Sequence, residues 1–277
     1  MRQALANLEK ELIQRAPLVS RALRPALSDA RIEQILRPLA HTVPDQLRLL
    51  YRWHDGTELV EGRRAYLFPG AKWLPLEEAV KTWSDAQEGD RLSGRPTWDS
   101  RWLPIFTDGS DGFDVVVCGE GGGQLLAFYF VDLPDTWSEF SDLRSLVDAL
   151  TRRWTGAAYW QGEDGAVEED PRAVAAIRRA MDRQQPNVDQ LLATLAQGSP
   201  EASQHALGFL RLRLYPEAVP GLLKMLEAGS DRGRRSAAEL LGLIGEPAAT
   251  GALESAAATD QDEIVRMLAR NALKELR

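Results

Sequence analysis

The sequence is poor in the side chains from which most catalytic and metal centres are made. It holds one cysteine, Cys118, and three histidines, at positions 41, 54 and 205. A lone cysteine excludes an internal disulfide and a thiolate metal cluster, and makes a reducing cytoplasm the expected setting. No stretch of about 18 apolar residues occurs, which excludes a membrane-spanning helix. The opening run, MRQALANLEKELIQRAPLVS, is charged throughout and lacks the apolar centre of a secretory signal. No G-x-S-x-G nucleophile turn is present. The glycine-rich stretch GEGGG lacks the third glycine of a dinucleotide loop and joins two strand-like segments, so it reads as a hairpin turn. No cofactor, metal or small-molecule substrate is expected.

What is there is ample material for folding. A chain of 277 residues, 44% hydrophobic and 27% charged, supports one large domain or two ordinary ones. The net charge of −8 is uneven: residues 1–170 carry 19 basic and 28 acidic side chains, or −9, and residues 171–277 carry 14 and 13, or +1. All eight tryptophans lie between Trp53 and Trp160. Two parts of different chemistry follow. The acidic front part should repel nucleic acid and attract basic partners.

The back part repeats at a spacing of 31. Val188, Leu191, Leu192 and Leu195 recur as Val219, Leu222, Leu223 and Leu226, and Leu210 and Leu212 recur as Leu241 and Leu243. A third unit matches Asp231 to Asp262, Arg235 to Arg266 and Ala238 to Ala269, and is expected to be truncated. Each unit has two apolar stripes at helical spacing, with Ser or Asp before the second helix as a cap. One helix pair cannot bury its apolar face alone, so three must stack. Ala237, Ala238 and Gly242 should let neighbouring helices approach closely. The pattern LLKMLEAGSDRGRRSAAELLGLIG resembles short bacterial HEAT-like repeats, which mostly bind proteins. Arg232, Arg234 and Arg235, with Arg211, Arg213, Arg266 and Arg270, are candidates for a partner-binding stripe. Their interleaved acids argue against nucleic acid.

In the front part, LSDARIEQILRPL reads as a helix capped by Ser28 or Asp29. HTVPDQLRLLYRWHDG reads as a second helix, with Pro44 in its first turn and Leu47, Leu50 and Tyr51 on one face. His54 and Asp55 are adjacent and diverge by about 100° on a helix, so they form no orienting pair, and Gly56 suits a helix stop. A helix from Leu76 to near Trp83, strands at Pro104–Phe106, Asp114–Cys118 and Gln124–Val131, and a helix in WSEFSDLRSLVDALTRRW follow. Residues 156–170 read as a polar connector, before a helix around 171–184. Asp108, Asp111 and Asp114 lack the alternating spacing of a calcium loop and suit a strand-to-strand turn. They are kept as partner-binding candidates. Two or three tryptophans are expected on an exposed surface, with Trp53 and Trp102 structural.

The order of these elements resembles the SUKH superfamily, which includes bacterial immunity proteins against toxins and a fungal regulator of cell-wall synthesis. The matching pieces are Ile32-Glu33, Val43-Pro44, Leu50 to Gly56, Trp73-Leu74 to Trp83, Trp102-Leu103-Pro104-Ile105, and Phe140 to Leu150. Pro44, Trp53, Asp55, Gly56, Trp102 and Pro104 are its structural signature positions here. The resemblance implies an α+β domain with a mostly antiparallel sheet and packed helices. The expected organisation is then a helical extension at 1–24, the SUKH-like domain at 25–155, a linker and connecting helix at 156–186, and an all-α HEAT-like solenoid at 187–277. The expected role is non-catalytic: a cytoplasmic inhibitor of a protein partner, such as a basic toxin domain, or a regulatory scaffold. Nucleic-acid binding is the third alternative.

Overall fold

Helices come first because the N-terminal sequence places leucines and alanines at helical intervals. A computed structural model describes residues 1–110, 112–129, 140–181 and 187–276, in two units, Met1–Glu169 and Asp170–Arg277. The first unit opens with α1 (Arg2–Arg15) and α2 (Pro17–Ala22). Ala4, Leu5, Leu8 and Leu12 form one buried stripe on α1. Leu8 and Leu12 are almost fully enclosed, so these residues are part of the domain core and not an extension ahead of it.

Next come α3 (Asp29–Leu36), α4 (Asp45–Trp53), β1 (Lys72–Trp73) and α5 (Leu76–Ser93). Ser28 caps α3 by accepting from the Arg31 N–H, as expected of serine before a helix. The expected end of α5 near Trp83 is ten residues short. The helix continues through SDAQEGDRLS, supported by the exposed pairs Lys81–Asp85 and Glu88–Arg91. It stops at Gly94, which takes φ +66°.

The sheet runs β1, β2 (Trp102–Thr107), β3 (Gly112–Val117) and β4 (Leu125–Tyr129), antiparallel throughout and in that spatial order. Residues 130 and 131, expected in the last strand, lie outside the described residues. Leu103, Val116 and Leu125 stand opposite one another on the core face. Directly opposite residues share a face, so Pro104, Val115 and Leu126 line the other. There Val115 and Leu126 meet Trp83, Ala86, Trp98, Trp102 and Phe113 in a smaller cluster. The glycine stretch is a turn between β3 and β4, with Gly119, Gly121 and Gly123 at positive φ.

The unit closes with α6 (Leu143–Thr155), β5 (Tyr159–Gln161) and β6 (Val167–Glu169). Asp142 and Ser145 form a reciprocal cap at the start of α6. Residues 156–170 are not only a polar connector. They form an antiparallel hairpin anchored by buried Ala158, Tyr159 and Val167.

The second unit is helical: α7 (Pro171–Met181), α8 (Val188–Gln197), α9 (Pro200–Arg213), α10 (Val219–Ala228), α11 (Asp231–Ile244), α12 (Thr250–Thr259) and α13 (Glu263–Glu275). Residues 182–184, expected to extend α7, lie outside the described residues. First helices begin at 188, 219 and 250, a step of 31. Ser199, Ser230 and Asp262 cap the second helices. The last pair is complete, not truncated. Its α12 is built mostly of Ala and Thr, so the leucine pattern that marks α8 and α10 is thin there. One apolar core runs through all three pairs, from Leu192 to Ala272. A Cβ on Gly242 would lie 2.6 Å from the Ala272 Cβ, so glycine is what permits the close approach of α11 and α13.

Helix α7 ties the second helices together at their C-terminal ends. Arg178 donates to the Leu212 carbonyl at 3.0 Å and Arg179 to the Leu214 carbonyl at 2.8 Å. Arg172 donates to the carbonyls of Leu243, at 3.2 Å, and Glu275, at 3.3 Å. These are the groups a helix leaves without partners, at its electronegative end, so cations there are favourable.

Candidate functional site

The His54-Asp55-Gly56 corner is structural. His54 follows α4 in an extended conformation. Its Nδ1 lies 2.8 Å from the Arg24 carbonyl oxygen, and its Nε2 lies 3.5 Å from Glu9. Asp55 turns the other way. It is buried, and its Oδ1 accepts the Leu76 N–H at 2.8 Å, satisfying a free donor at the start of α5. Arg24 lies 3.5 Å from its other oxygen. Gly56, at φ +78°, packs so closely that a Cβ would sit 2.6 Å from the Pro75 nitrogen. The corner therefore joins the end of α4 to the start of α5. Trp53, also a signature position, stacks on the buried Trp73 at 5.8 Å and donates its indole N–H to Glu9 at 3.2 Å.

The acidic turn is likewise self-contained. The Asp108 carboxylate accepts from the Ser110 N–H, the Ser110 hydroxyl and the Gly112 N–H, at 2.8 to 3.1 Å. Burial opposes its charge, but these hydrogen bonds outweigh that and hold its pKa below the usual carboxylate range. Asp114 sits within β3, opposite Phe106 and Ala127. Asp111 lies outside the described residues. Asp108 and Asp114 are thus turn and strand residues, and no cluster of His, Cys, Asp or Glu among the described residues could hold a metal ion. Cys118 is buried, and burial pushes its thiol up to about 11, which leaves it a poor nucleophile.

Four of the arginine candidates are tied to neighbouring repeats. Arg234, expected at a partner surface, is buried. Its guanidinium meets the Asp260 carboxylate with two hydrogen bonds and also donates to the Gly229 carbonyl. Arg235 donates to Asp262 at 2.6 Å. Arg232 reaches back to the preceding pair, donating to the Ser203 hydroxyl at 2.9 Å. Arg211 pairs with Glu239 at 2.6 Å. Three of these four are paired with carboxylates, which weakens the stripe as a contact for a phosphate backbone.

What the repeat does leave outward is one face shared by α9, α11 and α13. Residues 31 apart form rungs across it: Glu201, Arg232 and Glu263; Gly208, Glu239 and Arg270; Leu212, Leu243 and Lys274. None of these nine is buried, and Leu243 is 36% exposed. Mixed charge with a leucine line at its edge suits a protein surface better than a polyanion. Of these nine, Arg232 and Arg270 are candidates from the sequence. Carrying the 31-residue step onto polar positions would have found the rest.

The first unit has an open groove of about 600 Å³ between α1 and α4, lined by Leu5, Leu27, Leu49 and Trp53 among others. Three of its charged residues are engaged: Arg52 pairs with Asp29, and Glu9 takes the Trp53 indole. No converging set of free polar groups marks it as a substrate site. The tryptophans are more enclosed than expected. Of those described, only Trp160 is exposed, at 43%. Trp102 is half-buried against Trp98, and Pro104 is buried beside the β2 bulge.

Comparison with known proteins agrees with the second unit. A family model described as HEAT repeats matches residues 188–274, the stretch from α8 to α13. No match to a SUKH model accompanies it, and no curated protein matches the chain. Among the described residues, no helix is long and apolar enough to cross a membrane.

Proposed function

We propose that this chain is a non-catalytic protein-binding or scaffold protein, gripping its partner with the shared outer face of α9, α11 and α13. The match to HEAT repeats over 188–274 carries the reading, since such repeats commonly mediate contacts between proteins. The inter-repeat arginine ties support it by stiffening the array, and a preformed face loses less entropy on binding. The helix pairs are read as a short solenoid, and a cytoplasmic setting fits the single buried cysteine. Quantitative capture with the wild-type chain and with Leu243→Glu tests this. Partners held by the wild type should be depleted from the variant. A partner set unchanged by Leu243→Glu together with Leu212→Glu removes the face from consideration.

A narrower reading makes the first unit a SUKH-like immunity or regulatory domain. It is favoured by the antiparallel sheet flanked by helices and by the −9 charge of residues 1–170, which would speed association with a basic toxin domain. Co-expression with a toxin encoded beside the gene decides it. Failure both to rescue growth and to co-purify ends that reading while leaving the broader one intact. Nucleic-acid binding is the reading least served, because Arg234 and Arg235 are already held by Asp260 and Asp262.

A further inference from the structure

We draw no further inference here: the strongest candidate, the open groove between α1 and α4 in the first unit, sets Arg2 and Arg52 against Glu9 and Asp29, a balance that selects no class of occupant, and nothing in the structure shows what covers it.

Discussion

Both oxygens of the Asp260 carboxylate are gripped by the guanidinium of Arg234, Nε to Oδ2 at 2.9 Å and Nη2 to Oδ1 at 3.1 Å. The contact links the second repeat to the third, and the two side chains are only 10% and 9% exposed. Arg234→Ala would leave a nearly enclosed carboxylate without its counter-charge, so it should destabilise the helical unit by about 3 kcal/mol. Arg234→Lys should recover less than half of that, because an ammonium cannot match the planar fork. Chemical denaturation followed by far-ultraviolet ellipticity measures both.

The same contacts set an acid limit. Arg234 holds the Asp260 carboxyl below its usual range, against the opposing effect of burial, and Arg235 does the same for Asp262. A lowered folded pKa stabilises above the unfolded value of about 3.9 and is lost as pH falls through the folded one. The gap in melting temperature between wild type and Arg234→Ala with Arg235→Ala should therefore hold from pH 7 to about 5 and narrow from about pH 4 downward. A gap of constant size at pH 3 would show that something other than these ion pairs produces it.

Asp55 and Gly56 should behave as a joint and not as a site. Asp55→Ala removes the acceptor for the Leu76 N–H and should cost about 2 kcal/mol. Asp55→Asn, which keeps an oxygen there, should cost less. Gly56→Ala meets both a positive φ and the Pro75 backbone, and should cost at least about 2 kcal/mol. Thermal melts followed by tryptophan emission report all three.

Gly242→Ala should strain the contact between α11 and α13, because the new methyl falls on the Ala272 side chain. Overpacking of this kind costs about 2 kcal/mol. Gly208→Ala, with nothing within 4 Å of its added Cβ, should be neutral or slightly stabilising, since alanine favours the helix. The opposite ranking of the two in urea denaturation would contradict the packing described.

Sequence reasoning read the periodic features well and the long-range ones poorly. The 31-residue step, the serine and aspartate caps and the small residues between α11 and α13 are local patterns, and the structure repeats them. The role of Arg234 was hidden because its partner lies 26 residues away. A repeat aligned on itself sets like beside like and carries no sign of which arginine meets which aspartate of the next. Neighbours in the chain mark Asp55 as the end of one helix, and carry no sign of its bond to the start of another. The hairpin at 159–169 escaped because strands of three residues are too short to show alternation. Helix α5 reads as ending near Trp83 because its last turns are exposed and polar, supported by ion pairs and not by a stripe.

The crowding of all eight tryptophans between residues 53 and 160 gives the two units separate optical labels. Indole emission reports only on Met1–Glu169, and Trp160, 43% exposed, is the most solvent-exposed of the described tryptophans. Asp170–Arg277 is silent in that channel, yet its run of helices contributes heavily to ellipticity. A single denaturation series recorded both ways thus resolves the two halves without labelling or truncation, and any separation between the curves measures how independently each half melts.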